Sequence, residues 1–348
     1  MFSNYLYQTN TSNKNFLHFK DYALEVSKLF KKKSGKILDI ASNDGTFLNF
    51  FNKKKFFRLG IDPAKNLQKV ANSKGINQID VFFSEKTSYK IKKKFKQFDI
   101  ITANHVCAHV ENLEDFFLGV KNLLKKDGIF IFEISYRGSV LNKNTFDTIY
   151  HEHLDYHALY PLLKFLKKFN FYLFNFKISD AQGGSLRIYT SKKPRSINQK
   201  KIKNQIIKEK NIYRLFKVST YKKFEDKIND CKNNLNIILN NFYKQNYTIA
   251  GYGAAAKTTT LLSYFGLSES QQIKYIFDDN KLKQNLYLPG TKIKIINPNY
   301  LFHKKIDILI IFAWNYSDVI MKKIKKNKSF QKKSCKFLVP FPRPRIVQ

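Results

Sequence analysis

Cysteine is scarce in this chain, and the thiols it has are far apart. The 348 residues include three cysteines, Cys107, Cys231 and Cys335, and no CxxC pair. This excludes a zinc site built from paired cysteines and is typical of a reducing compartment. Long hydrophobic runs are lacking too, since none reaches the ~18–20 residues of a membrane span. The segment from Met1 to Lys14 has neither a basic start nor an apolar core, so we expect no signal peptide and a cytoplasmic protein.

Acidic residues are the second scarcity. The chain has 26 Asp and Glu against 63 Lys and Arg, a formal net charge of +37. Such an excess of positive charge invites a nucleic-acid interpretation. The lysines are spread along the whole chain, however, as in the triplets at 31–33, 53–55 and 92–94. We therefore interpret the charge as a compositional bias, expect no nucleic-acid partner, and expect small anionic ligands to be attracted.

The front of the chain is organised around a strand that runs into a turn of small and polar residues. We predict the strand at 36–40, the turn at 41–45 and a helix at 46–52. Backbone N–H groups of such a turn can approach a nucleotide-like ligand closely. The second strand, at 57–61, ends in Asp62, where a Rossmann-type site binds the hydroxyl groups of a ribose. The GxGxxG motif is missing here, which favours S-adenosylmethionine (SAM) over NAD; the structural alternative is an ordinary βα turn.

Further candidates for contact with SAM lie at the ends of the next two strands. Phe83 ends a strand predicted at 81–83 and would stack on the adenine, with a core aromatic as the alternative. Asn104 follows the strand predicted at 98–103 and would bind the amino-acid part. The full set of cofactor candidates is Asp39, Ala41, Ser42, Asn43, Gly45, Asp62, Phe83 and Asn104.

Strands and helices alternate with short connections in both halves of the chain, which predicts an α/β protein with parallel sheets. The back half starts with a strand at 248–250 and a glycine turn at 251–257, and its strands at 273–277 and 306–312 end in polar residues. Between the halves lies a Lys-rich segment with apolar residues at helical spacing. We predict two doubly wound Rossmann-like domains joined by long helices. The boundaries are 1–193 for the SAM domain, 194–246 for the helical linker and 247–348 for the C-terminal domain.

The densest group of ionisable residues is Tyr150-His151-Glu152-His153. Imidazole is well suited to move a proton near neutral pH, and a neighbouring carboxylate supports its charged form. A metal site is one alternative, since His and Glu are also metal ligands and a spacing of two puts both histidines on one face of a strand. No third ligand is evident, so we expect no metal. A structural role for one of the histidines is the other alternative.

Seven motifs lie along the chain at 39–45, 62–64, 103–110, 146–153, 183–187, 251–257 and 288–290. In this order they resemble the SAM-dependent C-methyltransferases of deoxysugar biosynthesis, which act on nucleotide-linked 4-keto sugars. The resemblance covers nearly the whole chain. It implies a SAM-dependent methyltransferase domain with a catalytic insertion, followed by a domain that holds the nucleotide of the sugar substrate.

The resemblance also implies roles for individual residues. His153 would remove the proton next to the sugar ketone, and Glu152 and His109 would support it. The residues implied to line the reacting centre are Tyr150 and Tyr7, with Tyr5 as the alternative to Tyr7. The implied substrate contacts are Gly184, Ser185, Arg187, Gly251, Gly253, Lys257, Asp279 and Asn280.

The implied reaction is methylation of a carbon through an enolate, with SAM as methyl donor and no metal. The sequence departs from the family in lacking the cysteine-rich zinc-binding module that typically comes first. Gln182 stands where a histidine is common, and Thr258-Thr259 replaces Gly-Asn, so the acceptor sugar stays open. A SAM-dependent O- or N-methyltransferase is the alternative enzyme. An inactive protein that binds a nucleotide sugar or nucleic acid is the alternative outside enzymes.

Overall fold

The computed structural model describes Ser3, Tyr5, Thr9 and residues 13–267, 272–331 and 334–347. The chain divides into two compact units that interleave along the sequence. The first unit comprises Met1–Ser139 and Glu152–Phe216, and the second comprises Val140–His151 and Lys217–Gln348. The division at 1–193, 194–246 and 247–348 stays a prediction. The compact units add that residues 140–151 pack with the C-terminal part of the chain.

The first unit is built on a seven-stranded sheet with the strand order β3-β2-β1-β4-β5-β7-β6. Its strands are β1 (Gly35–Ile40), β2 (Phe56–Ile61), β3 (Asn77–Ile79), β4 (Phe98–Asn104), β5 (Leu124–Ser135), β6 (Tyr172–Ser179) and β7 (Ser185–Ser191). Its helices are α1 (Asn13–Leu29), α2 (Thr46–Asn49), α3 (Lys65–Ser73), α4 (Glu85–Phe95), α5 (Leu113–Leu123), α7 (Leu159–Lys168) and α8 (Gln199–Ile207). Helix α6 (Arg137–Asn142) starts in the first unit and ends in the second. The central strand β4 is buried along residues 98–103, as a strand covered by helices on both faces requires.

Two details of this sheet differ from the sequence expectation. Strands β1 to β5 pair in parallel, but β7 runs antiparallel to both β5 and β6. The connection from β6 to β7 is too short for a crossover, so these two strands pair as an antiparallel hairpin. The third strand lies at Asn77–Ile79, so its prediction at 81–83 is wrong. Ser84 and Thr87 form a capping box that starts α4 at Glu85, which makes 81–83 the approach to a helix.

The second unit repeats the arrangement around a six-stranded sheet with the order β10-β9-β8-β11-β12-β13. Its strands are β8 (Ile249–Tyr252), β9 (Ile273–Phe277), β10 (Lys294–Ile296), β11 (Ile308–Ile311), β12 (Lys336–Val339) and β13 (Arg345–Val347). Its helices are α9 (Val218–Lys244), α10 (Ala256–Phe265), α11 (Ser317–Lys325) and α12 (Lys328–Gln331). All its strands pair in parallel except β13, which is antiparallel to β12. The prediction of an α/β fold with two Rossmann-like domains is confirmed.

The described part of the chain has neither a membrane-spanning helix nor a cluster of metal ligands. None of its helices is both long and apolar enough to cross a membrane. Within the same ranges, no group of three or more His, Cys, Asp or Glu side chains is arranged so that it could hold a metal ion.

Candidate active site

The turn after β1 is built from three residues in the left-handed backbone region. Ala41, Asn43 and Gly45 have φ angles of 59°, 51° and 72°. A Cβ atom at Gly45 would also lie 3.1 Å from the Cβ of Ala71, so glycine is favoured there on two grounds. Positive φ is uncommon for other residues and needs support from the surroundings. The turn therefore has a conformation that neighbouring side chains must hold.

Asp62, at the end of β2, supplies that support. One of its carboxylate oxygens accepts the N–H of Asn43 at 2.9 Å, and the other accepts the N–H of Ala64 at 2.9 Å. The residue is 7% exposed, and burial raises the pKa of its carboxyl. Each carboxylate oxygen can accept a second hydrogen bond. The carboxylate that shapes the turn can thus still accept a ribose hydroxyl.

Two described residues near the N-terminus contact this region, Thr9 at the turn itself and Tyr5 at α3. The N–H and the hydroxyl of Thr9 donate to Oδ1 of Asn43 at 3.0 and 3.2 Å. Tyr5 exchanges two hydrogen bonds with the side chain of Asn66, at 3.0 and 2.8 Å. Tyr7, which we predicted to line the reacting centre, lies outside the described residues. The alternative, Tyr5, lies beside the start of α3.

The buried Asp39 and the half-buried Asn104 form a polar pair at the ends of β1 and β4. Oδ1 of Asp39 accepts hydrogen bonds from the Thr102 hydroxyl at 2.6 Å and from Nδ2 of Asn104 at 3.3 Å. Burial raises the pKa of Asp39 to about 7, opposed by the Thr102 hydrogen bond and supported by the negative charge of Asp62. Oδ1 of Asn104 is buried and has no hydrogen-bond partner within the described ranges. A carboxylate beside an unsatisfied amide oxygen fits an ammonium group, such as the one SAM carries.

Two other cofactor candidates, Ser42 and Phe83, contact side chains of the first unit. The hydroxyl of Ser42 donates to Oε1 of Gln78 at 3.0 Å. The half-buried ring of Phe83 packs edge-on against Phe116, with centroids 5.2 Å apart. Its neighbour Phe82 is 58% exposed. Adenine stacking by Phe83 stays a prediction.

His109 lies in a single turn of 3-10 helix, Cys107–His109, just after β4. Its Nδ1 is 2.6 Å from the main-chain carbonyl oxygen of Glu152. A carbonyl oxygen only accepts, so Nδ1 carries the proton and Nε2 is the acceptor of the neutral ring. Burial lowers the pKa of His109, which keeps the ring neutral near neutral pH. The ring centroid of His153 lies 5.0 Å away.

The predicted catalytic residues are divided between the two units. Glu152 and both candidate histidines lie in the first unit, whereas Tyr150 lies in the second. Glu152 accepts a hydrogen bond from His109 with its main-chain carbonyl, and the charge of its carboxylate acts to raise the pKa of the same ring against the effect of burial. A hydrogen bond of 2.7 Å from the Leu154 N–H to the Ala108 carbonyl joins the same two segments. Support of a base by the Glu152 carboxylate stays a prediction.

A buried charged network centred on Glu133 was missed by the sequence reasoning. One carboxylate oxygen of Glu133 lies 2.7 Å from Nε2 of His18 and 3.2 Å from Nε2 of His105. The other lies 2.8 Å from the guanidinium of Arg187, which also pairs with Glu25 at 3.1 Å. Burial alone would raise the pKa of Glu133, but hydrogen bonds from the two histidines hold it well below its usual range. The available signal was an acid inside an otherwise apolar strand.

Three of the predicted substrate residues belong to the first unit. The charge of Arg187 is paired inside the network just described. Gly184 has φ 134°, and a Cβ atom there would lie 2.2 Å from the Cβ of Ser139. The Ser185 hydroxyl donates to the carbonyl of Ala181 at 2.8 Å. Their role in substrate binding stays a prediction that depends on the resemblance alone.

The glycine turn of the second unit lies between β8 and α10. A Cβ atom would lie 2.6 Å from the Phe312 ring at Gly251, and 2.7 Å from the Cβ of Ala313 at Gly253. Gly253 also has φ 97°. Ala255 precedes α10 and gives its first turn no side-chain cap. The first N–H groups of a helix have no partners within the helix, so an end without a side-chain cap suits an anionic ligand.

Asp278 holds this turn by accepting main-chain N–H groups, as Asp62 does in the first unit. Its two carboxylate oxygens accept the N–H of Ala254 at 2.7 Å and the N–H of Asn280 at 2.8 Å. Our sequence reasoning chose the next two residues, Asp279 and Asn280. Asp279 faces solvent and accepts the hydroxyl of Tyr252 at 2.8 Å. The signal that could have identified Asp278 is its position directly after β9, which matches that of Asp62 after β2.

Lys257 lies in the first turn of α10, next to a buried acid. Within the described ranges, its ammonium group donates no hydrogen bond. Burial lowers the pKa of Lys257, and the charge of Asp147 opposes that shift. Asp147 is fully buried and accepts the Nε1–H of Trp314 at 2.6 Å. A lysine without an acceptor beside an uncapped helix start is suited to a phosphate group.

Comparisons with known proteins cover both halves of the chain. A family model described as a methyltransferase domain matches residues 16–174, and one described as a C-methyltransferase C-terminal domain matches residues 180–342. The C-methyltransferase NovU of Streptomyces niveus is 27% identical over 348 residues, which cover 100% of this chain and 82% of that protein.

Solved structures resemble about half of the chain. The PH0226 protein of Pyrococcus horikoshii OT3 is 17% identical, with a TM-score of 0.43, and the match covers 53% of this chain and 94% of that one. Magnesium protoporphyrin IX methyltransferase of Synechocystis PCC 6803 is 10% identical, with a TM-score of 0.40, over 51% of this chain and 83% of that one.

Proposed function

Because this chain belongs to the SAM-dependent C-methyltransferases, we propose that it methylates the carbon next to the ketone of a nucleotide-linked 4-keto deoxysugar. The observation that carries the proposal is the pair of imidazole rings of His109 and His153, 5.0 Å apart. A ketone acidifies the neighbouring C–H, but its removal still needs a positioned base. Transfer to oxygen or nitrogen does not require a proton to be removed from carbon.

The buried acids of the first unit would hold the cofactor. When bound, SAM supplies a methyl group on a sulfonium centre that is ready for attack by a nucleophile. Asp39 and the unsatisfied Oδ1 of Asn104 would accept hydrogen bonds from its ammonium group. Asp62, which already holds the turn, would accept a ribose hydroxyl. These contacts fix the position of the cofactor and leave the proton transfer to other residues.

His153 would act as the base, with His109 as its neutral neighbour. On taking the proton from carbon, His153 becomes an imidazolium. A second charged imidazole 5.0 Å away would oppose this step, but burial lowers the pKa of His109 and keeps it neutral. The carboxylate of Glu152, one residue before the base, would stabilise the imidazolium. The cofactor, held by Asp39, Asn104 and Asp62, would supply the methyl group for the enolate carbon, and we expect no metal to be needed.

The second unit would hold the nucleotide diphosphate of the substrate. The turn from Gly251 to Lys257 combines closely packed glycines, the uncapped start of α10 and the lysine ammonium. Asp278 holds the turn from the end of β9. Anions bind well where free N–H groups and a cation point at the same space. A sugar attached to this diphosphate would be the methyl acceptor.

The decisive experiment measures exchange of solvent deuterium at the carbon next to the ketone, using a panel of nucleotide 4-keto sugars without SAM. The wild type should exchange, and His153→Ala should reduce the exchange roughly 10²–10⁴-fold while binding SAM normally. His303→Ala, which removes an exposed histidine of the second unit, is the matched control and should exchange like the wild type.

The possible results separate the alternatives. If His109→Ala loses deuterium exchange and His153→Ala keeps it, His109 rather than His153 is the base. Methylated product from a wild type that shows no exchange would indicate an O- or N-methyltransferase. Exchange that survives both substitutions would contradict carbon methylation by this pair.

A further inference from the structure

Residues 140–151 are anchored in the second unit by an aromatic side chain. The ring of Phe146 is 5% exposed and lies 5.5 Å from the ring of Phe265 and 5.1 Å from that of Phe341, centroid to centroid. The Thr145 N–H donates to the carbonyl of Val140 at 3.0 Å and closes the segment on itself. Phe146 thus belongs to the core of a unit that is otherwise formed by the last third of the chain.

The next residue adds a polar anchor. Asp147 is fully buried, and its Oδ2 accepts the Nε1–H of Trp314 at 2.6 Å. Trp314 is the single tryptophan of the chain, and its ring packs against Phe341. Oδ1 of Asp147 is buried without a hydrogen-bond partner in the described ranges. A buried acid with one satisfied oxygen depends on a nearby cation for the rest of its stabilisation.

The nearby cation is on helix α10, which packs against the same segment: the ring of Tyr264 lies 5.2 Å from that of Phe146, centroid to centroid, and the first turn of α10 carries Lys257. Burial raises the pKa of Asp147, and the charge of Lys257 is the largest influence that lowers it. Lys257 is stabilised by Asp147 in the same way, against the effect of its own burial. The two side chains therefore link residues 140–151 to the turn that would bind a diphosphate.

We propose that Asp147 is a positioning residue that couples diphosphate binding at Lys257 to the placement of the segment that carries Tyr150. This rests on the proposed function, which assigns the diphosphate to Lys257. A phosphate close to the ammonium offers Lys257 a second negative charge and so weakens its electrostatic attraction to Asp147. The hydrogen bond to Trp314 and the local packing of the segment then change. Tyr150 follows Asp147 by three residues, and Glu152 and His153 come directly after, so the backbone carries the change to the predicted catalytic residues.

The test uses the full-length protein with thymidine diphosphate as the probe. Because Trp314 is the single tryptophan, its emission reports the indole that donates to Asp147. In the wild type, thymidine diphosphate should change this emission and the amide hydrogen exchange of residues 144–151. Both changes should depend on ligand concentration in the same way as binding measured by calorimetry. Asp147→Asn keeps an acceptor for the indole but loses the charge. It should bind the probe at least as tightly, and both responses should fall several-fold.

Asp318→Asn removes an exposed acid of the same unit and should respond like the wild type. Calorimetric binding without a change in emission or exchange in the wild type would overturn the coupling and leave the proposed diphosphate site intact. Equal responses in Asp147→Asn and the wild type would overturn it as well. Failure of the wild type to bind thymidine diphosphate would contradict both proposals. If Asp147→Asn does not fold, as judged by lost SAM binding, the wild-type responses decide.

Discussion

Replacing Asp39 with asparagine should weaken SAM binding and remove its pH dependence. Asp39 is 2% exposed, and its carboxylate lies beside the unsatisfied oxygen of Asn104, where the ammonium group of SAM would bind. Asparagine preserves the shape and one acceptor oxygen but not the charge. A hydrogen bond to a charged group contributes about 1.5–3 kcal/mol, so the affinity should fall about 10- to 150-fold at high pH.

The pH dependence follows from the raised pKa of Asp39, about 7. Roughly a tenth of the free protein has an ionised Asp39 near pH 6, and roughly nine tenths near pH 8. Since only the carboxylate attracts the ammonium group, wild-type affinity for SAM should rise about tenfold between these two conditions. The raised pKa of Asp39 affects the free energy of unfolding in the opposite direction. The unfolded chain releases this proton near pH 4, so the stability that Asp39 contributes is lost as the pH rises from about 4 through about 7.

Calorimetry with SAM near pH 6 and near pH 8 tests the reasoning, with wild type and Asp39→Asn side by side. Methylthioadenosine, which lacks the amino-acid group, is the matched control ligand, and its affinity should be the same for both proteins at both pH values. A flat pH profile in the wild type would refute the raised pKa. An equal loss of affinity for SAM and methylthioadenosine would show that Asp39 acts on the fold of the turn rather than on the ammonium group.

Three further substitutions test the remaining contacts. Asp62→Ala should weaken SAM binding by ~1–3 kcal/mol, because the turn loses its acceptor and the ribose its partner; unchanged affinity in calorimetry would contradict both roles. Arg187→Met should lower the free energy of unfolding by about 3–5 kcal/mol in urea titrations, since it leaves Glu133 buried without its guanidinium, and a loss near zero would count against the network. Asp278→Ala should reduce the affinity for thymidine diphosphate by ~1–3 kcal/mol and leave SAM binding unchanged. A matching loss for both ligands would instead indicate general unfolding.

Local signals predicted the two strand–turn–helix units well. Strand β1, its glycine turn and the acid after β2 follow one another within a short stretch, and each depends on side-chain type and backbone preference near that position. The strand at 81–83 was misplaced because three apolar residues resemble a short strand. The capping box at Ser84 and Thr87 decides the matter, since it starts a helix there. The antiparallel β7 was missed because pairing direction depends on how the hairpin closes.

The amino-acid sequence by itself determined the alternation of strands and helices, the two glycine turns, Asp62 as the acid after the second strand, and the histidines available for proton transfer. These features depend on neighbouring residues, so they can be read locally. Only the tertiary structure decided that Asp278 rather than Asp279 holds the second turn, and that Glu133 gathers His18, His105 and Arg187. It also decided that residues 140–151 pack with the second unit. Each of these contacts joins residues far apart in sequence. Burial strengthens the interactions between their charges, and it exists only when the chain has folded.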